Sequence, residues 1–250
     1  MRFDGKVAFI TGGGIGFGRA FARALSAEGA AVVIADIDGP AGQALATELE
    51  ADGKRAMSVV CDVADEHQVQ TAIDATVDRL GGIDVLINNA GKHLMKYNQP
   101  FSVLERDEVR ALFDVNVIGV VNCSVAARSS MAARGGGVIV NISSMASYLS
   151  TTPYAVSKLA VRGLTIAFAS EFAVDHIRVN AIAPGLMATE NAIADLPQQI
   201  VDHIVDEQQL IHRLGTMDDI VQAMLYLCSE ESSFVTGETL RVTGGTPLFL

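Results

Sequence analysis

Hydrophobic residues along this chain fall into two alternating patterns. Short β-branched runs at 7–11, 31–36, 57–61, 85–88, 138–143, 177–182 and 239–242 read as strands. Between them, 16–28, 42–50, 69–80, 109–133 and 154–172 carry apolar residues at helical spacing and are long enough to act as crossovers. Strands joined by helical crossovers run parallel, and a strand covered on both faces is apolar throughout rather than at every second position. Val32-Val33-Ile34-Ala35 and Val138-Ile139-Val140 have that continuous character. The pattern predicts a doubly wound α/β fold: a mainly parallel, seven-stranded sheet with helices on both faces.

One region breaks the rhythm. Residues 187–213 contain no strand run, hold Pro197, and carry Ile193, Leu196, Ile200, Ile204, Leu210 and Ile211, so they are expected to form a helical flap. No repeat or Pro/Gly-rich linker divides the chain, because Gly135-Gly136-Gly137 sits where a helix turns into a strand. Residues 1–250 therefore read as a single domain.

Composition narrows the partners. The 250 residues are half hydrophobic, enough for one large core, and carry a formal net charge of -11. A polyanion meets a repulsive average field, so nucleic acid is not an expected ligand, and an acidic carrier protein is disfavoured unless a local patch around Arg128 and Arg134 overrides that average. Cys61, Cys123 and Cys228 lie far apart without a Cys-x-x-Cys pair, which fits a reducing compartment. The first residues include Arg2, Asp4 and Lys6, and the apolar run after them stops at Thr11. No leader or membrane span is expected, and the expected location is cytoplasmic. The five histidines show no His-x-x-x-His spacing, so no metal site is expected.

The chemistry begins after the first strand. Thr11-Gly12-Gly13-Gly14-Ile15-Gly16-Phe17-Gly18 leads straight into a helix, and such glycines let the backbone approach a pyrophosphate at a helix amino terminus. The spacing is Gly-x-x-x-Gly-x-Gly rather than Gly-x-Gly-x-x-Gly, and it lacks the Gly-Lys-Ser/Thr ending of a nucleotide-hydrolysing loop. Asp36 follows at the end of the second strand, where a carboxylate accepts hydrogen bonds from both hydroxyls of an adenosine ribose and repels a 2'-phosphate. No Arg or Lys stands in Ile34-Ala35-Asp36-Ile37-Asp38, which argues for NAD over NADP. A ligand-free glycine turn and a solvated strand-end acid are the bland alternatives for these two features.

Tyr154 and Lys158 stand four residues apart and project from one face of one helix. By itself the pair describes many exposed helix faces. As chemistry it supplies a phenol for proton exchange with an alcohol or ketone oxygen and an ammonium that favours the phenolate.

Taken in order, these motifs resemble the short-chain dehydrogenase/reductase family over nearly the whole chain. Thr11 to Gly18 is similar to the family's cofactor loop, Asn88-Asn89-Ala90-Gly91 to its strand-four motif, and Tyr154-Ala155-Val156-Ser157-Lys158 to its Tyr-x-x-x-Lys signature. Asp62-Val63, Asn116, Ser143-Ser144, Pro184-Gly185 with Thr189, and Gly244-Gly245 match further family positions. The resemblance implies a Rossmann-type fold and a hydride transfer between a nicotinamide ring and a small-molecule alcohol or ketone. It implies a tetrad in which Tyr154 exchanges the proton, Lys158 lowers the Tyr154 pKa and holds the nicotinamide ribose, and Ser144 bonds the substrate oxygen. By the same resemblance Asn116 would complete the tetrad, its side-chain amide interrupting the helix and holding a water that links Lys158 to solvent. Gly12, Gly14, Ile15, Gly16 and Gly18 would bind the cofactor's phosphates, and Asp36 and Ile37 would flank its adenosine with Asp62 and Val63. Asn89, Ala90 and Gly91 would line the cofactor, and Pro184, Gly185, Leu186 and Thr189 its carboxamide side. A homotetramer is also implied, with helices 109–133 and 154–172 paired across a two-fold.

Two departures stand out. The loop from Ser144 to Tyr154 is about three residues shorter than the family's usual one, which leaves Ser143 able to replace Ser144. Thr243 stands where the family commonly has Asp, and an apolar tail, Pro247-Leu248-Phe249-Leu250, follows; it is expected to pack at a subunit interface. Lys92 and His93, after Gly91, read as ordinary loop residues, while Met95, Tyr148, Leu149, Leu186 and Met187 could form either a pocket or core. Three other readings compete with an NAD-dependent secondary-alcohol dehydrogenase. They are a 3-oxoacyl-thioester reductase, an inactive NAD-binding sensor or scaffold, and a sugar-nucleotide epimerase, which needs a larger region after Tyr154 than is present.

Overall fold

The computed structural model describes residues 1–93, 95–149, 151–188 and 197–247. Continuous apolar strands need cover on both sides, and these have it. The seven strands are β1 (Val7–Thr11), β2 (Ala31–Asp36), β3 (Ala56–Val60), β4 (Val85–Asn88), β5 (Gly137–Ile142), β6 (Ile177–Pro184) and β7 (Thr239–Val242). They form one parallel sheet in the order β3-β2-β1-β4-β5-β6-β7. The helices that matter for the site are α1 (Gly16–Ala27), α2 (Gly39–Ala51), α3 (Glu66–Leu80), α4 (Arg106–Phe113), α5 (Gly119–Ala133) and α6 (Pro153–Glu171).

The period of two along each strand sorts side chains into two cores. Ala8, Ile10, Val32 and Ile34 enter one, with Phe21 and Leu25 of α1 and Leu45 and Leu49 of α2. Phe9, Val33, Leu86 and Ile139 enter the other, with Ile73 of α3, Cys123 and Met131 of α5, and Val161 and Phe168 of α6. Each such side chain contributes roughly 1.5–3 kcal/mol by leaving water. The strand order reverses between β1 and β4, and the crevice beyond their carboxyl ends is where ligands of this architecture bind.

Helix starts lie earlier than periodicity predicts, because caps rather than apolar residues set them. Asp38 accepts from the Ala41 amide and starts α2 at Gly39 with Pro40 in its first turn; Asp65 accepts from the His67 and Gln68 amides and starts α3. The helix Met217–Cys228, absent from the sequence reading, opens with a capping box between Thr216 and Asp219, a signal that was legible. The segment expected as one helix over 109–133 begins at Arg106 and passes through a π-helical stretch, Asp114–Ile118. In the flap, Gln198–Asp202 is α-helical and His203–Gln208 π-helical, and Met187 pairs with Gly215 across its base. Ile193 and Leu196 lie outside the described residues.

At the opposite end of the sheet, Asp84 ties the fold together. Its carboxylate, almost fully buried, accepts from the Val7 amide at 2.8 Å, Arg134 at 2.7 Å and Lys6 at 3.3 Å. Removing one member of a buried pair strands the others, at a cost of about 3–5 kcal/mol. Asp84→Ala is therefore expected to lower the melting temperature by roughly 10 °C, read by thermal unfolding followed by circular dichroism. A shift of a degree or two would assign the cluster to the solvated surface.

Candidate active site

The glycine loop is shaped from three sides. Gly12 and Gly16 take positive φ, +58° and +54°, which a side chain would strain, and a Cβ on Gly18 would overlap the Gly12 carbonyl oxygen. Thr11 Oγ1 accepts from the amides of Asn89 and Ala90 at 3.0 Å each, and Asn89 Nδ2 donates to the carbonyls of Thr11 and Gly12 at 2.9 Å. The Asn89 side chain is thus spent on holding the loop to β4. Thr11 does half of this work; the sequence places it at the head of the loop motif but assigns its side chain no role. Helices α2, α3 and α6 are capped by Asp38, Asp65 and Thr152, whereas at α1 the cap position is Ile15, more than half exposed, which offers no side-chain acceptor. Its first amides point out of the loop without a capping partner, an arrangement that receives a phosphate.

Asp36 is buried at the end of β2. Oδ2 accepts from the Gly14 amide at 2.8 Å and Oδ1 from the Asp38 amide at 2.9 Å, so this carboxylate helps fold the loop as well as facing the place expected for a ribose. Ile37 beside it is exposed. Asp62 turns the chain after β3 by accepting from the Ala64 amide, and Val63 is buried with its carbonyl held by Asn122. On the far side of the crevice, the Gly185 amide donates to Val242 O, and a Cβ there would press on the Thr243 backbone. Pro184 is buried, Leu186 is half-buried, and Thr189 lies outside the described residues. Leu186 and Met187 border a cavity of about 370 Å³ on the flap side, which none of Ser144, Tyr154 or Lys158 lines.

Between these walls four side chains converge. Lys158, buried, donates from Nζ to Ile142 O at 2.8 Å, and burial pushes its ammonium down to about 8. Its Nζ stands 6.0 Å from the centre of the Tyr154 ring. Burial pushes the Tyr154 phenol above its ordinary value, and the Ser144 hydroxyl beside it draws it back. Burial weighs on both partners, and Lys158 Nζ is hydrogen-bonded to Ile142 O. The choice of serine resolves on geometry. Ser143 is buried and donates to Lys158 O at 2.9 Å, locking β5 to α6, while Ser144 faces the phenol and caps the next turn through the Ala146 amide.

Asn116 lies on the π-helical stretch, so the expected interruption of the helix is present. Its side chain is bonded to two neighbouring segments. Oδ1 accepts from the Lys92 amide at 2.7 Å, and Nδ2 donates to Lys92 O and to Ser157 Oγ at 3.1 Å each. Both amide hydrogens thus have protein acceptors. Gly91 lets these groups meet: a Cβ there would lie 3.3 Å from both Asn116 Oδ1 and Lys158 Nζ. Lys92 contributes its backbone, and His93 is exposed. Among the described residues no cluster of His, Cys, Asp or Glu could hold a metal ion. The three thiols are free and buried, and burial pushes Cys61 up to about 11 and Cys228 up to about 12.

The arrangement offers an anion-receiving loop, a carboxylate one strand away, and a phenol, hydroxyl and ammonium grouped at the crevice. Comparison with known proteins gives that grouping its context. A family model described as enoyl-(acyl carrier protein) reductase matches residues 13–247. A 3alpha-hydroxysteroid dehydrogenase of Mediterraneibacter gnavus is 38% identical over 250 residues, covering 98% of each chain. Among solved structures, a 7alpha-hydroxysteroid dehydrogenase complexed with NADH and 7-oxo glycochenodeoxycholic acid superposes with TM-score 0.90 at 34% identity, covering 98% of this chain and 95% of that one. A gluconate 5-dehydrogenase from Burkholderia cenocepacia in complex with NADP and tartrate superposes with TM-score 0.91 at 39% identity, covering 98% and 96%. With relatives of this likeness along almost its entire length, the chain belongs to the short-chain dehydrogenase/reductase family, oxidoreductases that bind a nicotinamide cofactor and interconvert secondary alcohols and ketones.

Proposed function

We propose that this protein is an NAD(H)-dependent oxidoreductase of a small secondary alcohol or ketone, with Tyr154 as the group that exchanges the proton. The observation that carries the reading is the convergence of Tyr154, Ser144 and Lys158 beside a glycine loop whose helix amino terminus is uncapped. When bound, the cofactor supplies or accepts the hydride. The residues present fit it: the α1 amides and Gly12, Gly14, Ile15, Gly16 and Gly18 would receive its phosphates, and Asp36 with Ile37 would take its adenine ribose. Asp62, Val63, Asn89, Ala90 and Gly91 would flank it, and Pro184, Gly185 and Leu186 would lie toward its carboxamide; Thr189, assigned there by the family resemblance, lies outside the described residues.

The chain's own groups then divide the work. The Ser144 hydroxyl is hydrogen-bonded to the Tyr154 phenol, so a substrate oxygen arriving beside them would find two hydroxyls able to bond it and hold it for hydride transfer. In ketone reduction the phenol donates its proton to the developing alkoxide; in alcohol oxidation the phenolate takes it back. Lys158, whose Nζ donates to Ile142 O, would hold the nicotinamide ribose with its remaining hydrogens and add positive charge to the phenolate state. NAD is favoured over NADP by the Asp36 carboxylate, and because Arg19 and Arg23 on α1 are both held by Glu48 rather than left for a 2'-phosphate.

A 3-oxoacyl-thioester reductase is the second reading, favoured by the acyl-carrier wording of the matching family model. The basic patch that would dock an acidic carrier is committed internally: Arg128 pairs with Asp175 and Glu171, and Arg134 with Asp84. Initial rates with NADH and NADPH on a 7-oxo bile acid, a 3-oxo steroid, 5-oxogluconate and a 3-oxoacyl thioester separate the readings. The expected outcome is turnover of a ring or polyol ketone with NADH. Preference for the thioester with NADPH would replace the first reading with the second, and no turnover anywhere on a broad panel would favour an inactive sensor.

We place the protein in the cytoplasm as a homotetramer. The segment Arg106–Ala133 is long and apolar enough to cross a membrane, but its apolar residues are used in the fold, where Leu112, Val120, Cys123, Ala127 and Met131 are buried. Ile118, Val125, Leu159 and Ile166 stay exposed on this segment and α6, a surface suited to helix pairing between copies. Light scattering is expected to give a tetramer's mass, and a monomer's mass would reject the assembly. Pro247 accepts from Arg241, and the rest of the tail lies outside the described residues.

A further inference from the structure

Ser157 occupies the position between the proposed proton donor and the proposed ammonium, and neither reaction chemistry nor the cofactor site has used it so far. It is fully buried in the first turns of α6. Its hydroxyl donates to the backbone carbonyl of Tyr154 at 2.7 Å. That half is an ordinary habit of serine in helices, where the hydroxyl turns back on a preceding carbonyl. The other half is not. The same oxygen accepts from Asn116 Nδ2 at 3.1 Å, across a gap of 41 residues in sequence, and Asn116 itself is almost completely buried.

One hydroxyl therefore joins three segments. Through Tyr154 O it is part of the turn that carries the phenol; through Nδ2 it holds the side chain at the centre of the π-helical stretch. Through the remaining bonds of that amide, to Lys92 N and Lys92 O, it reaches the loop after β4. The Asn116 amide has four hydrogen-bonding sites to fill, and Lys92 takes one acceptor and one donor position. Ser157 is what satisfies the second N–H. Without it, a buried N–H has no acceptor, and the amide gains a reason to turn or to admit water. Such a turn would be felt next door, because Asn116 Oδ1 and Lys158 Nζ both lie 3.3 Å from the Cβ position that Gly91 leaves empty.

We infer that Ser157 is a positioning residue for proton exchange: it fixes Asn116 against the first turns of α6 so that Tyr154, Lys158 and the π-helical stretch keep one geometry. The inference rests on the oxidoreductase reading above for its catalytic consequence, and on hydrogen bonds alone for its structural half.

The test compares Ser157→Ala and Ser157→Thr with the parent in the full chain. Ser157→Ala is expected to lower kcat by about tenfold or more while KM and the NADH dissociation constant stay within about threefold. The midpoint of the rising pH limb of alcohol oxidation should move up by about half a unit, since a looser surround stabilises the phenolate less. Amide exchange at Lys92, measured by mass spectrometry, should quicken by about tenfold, with the β1 amides unchanged. Ser157→Thr, which keeps the oxygen, should recover most of the loss. A Ser157→Ala protein with kcat and pH midpoint within twofold of the parent overturns the proposal, as does unchanged exchange at Lys92. So does a Thr variant that melts like the parent yet is as slow as the Ala one. A parent that turns over no alcohol or ketone removes the oxidoreductase reading instead, and Lys92 exchange then decides the structural half by itself.

Discussion

Tyr154→Phe is expected to lose about a thousandfold or more in turnover while binding NADH within a few-fold of the parent. The ring is part of the first turn of α6, half-buried, and phenylalanine fills the same place; only the exchangeable proton and the partner of Ser144 are removed. General acid–base steps contribute about 10²–10⁴ in rate, and the loss of the hydrogen bond to the substrate oxygen adds to that. Stopped-flow absorbance of the reduced nicotinamide, with cofactor binding followed by fluorescence, reads both numbers. Turnover within a few-fold of the parent would move the acid to another residue.

On the proposed reading, the state of that phenol sets how each direction should respond to pH. Burial holds Tyr154 above its ordinary value, while the Lys158 ammonium discharges as the pH climbs through about 8. Near neutral pH the protein's own groups thus stand as neutral phenol beside charged ammonium, the form that donates a proton to a ketone. Alcohol oxidation needs further positive charge at the phenolate, which an oxidised nicotinamide ring carries. Initial rates measured across pH are accordingly expected to favour ketone reduction on the acid side and alcohol oxidation on the alkaline side.

Much of this was legible from residue order. Strands were placed to within a residue or two because parallel strands buried on both faces leave unbroken apolar runs, as in Ala31–Asp36. Tyr154, Lys158 and the glycine loop were readable because their chemistry depends on local spacing: one helix turn, or consecutive backbone amides. What the sequence withheld depends on contacts across the chain. Asn89 binding Thr11 O and Gly12 O spans more than seventy residues, and the Ser157 bond to Asn116 spans forty-one. Ser143 and Ser144 are adjacent and chemically identical, so only the direction of the chain at the end of β5 shows that one locks α6 and the other faces the phenol. A spacing of four shows that an ammonium is near Tyr154, but not that burial weighs on both partners.

Asp36 carries the second large effect, and the structure changes what its removal should do. Asp36→Ala is expected to weaken NADH binding by roughly 10–100-fold, the worth of one or two hydrogen bonds to a charged acceptor, and to narrow the preference against NADPH. Part of that loss comes from the loop, since the same carboxylate accepts from the Gly14 and Asp38 amides. Asp36→Asn separates the two contributions: its carbonyl oxygen can still accept from Gly14, while the negative charge that repels a 2'-phosphate is gone. Calorimetric titration of both variants with NADH and NADPH should show Asn losing less NADH affinity than Ala yet gaining a similar tolerance of NADPH. The gain has a ceiling, because Arg19 and Arg23 are held by Glu48 and Asp38 keeps a carboxylate at the start of α2. If both variants bound both cofactors as the parent does, the adenine ribose would have to sit away from the end of β2, and the argument for NAD would fail with it.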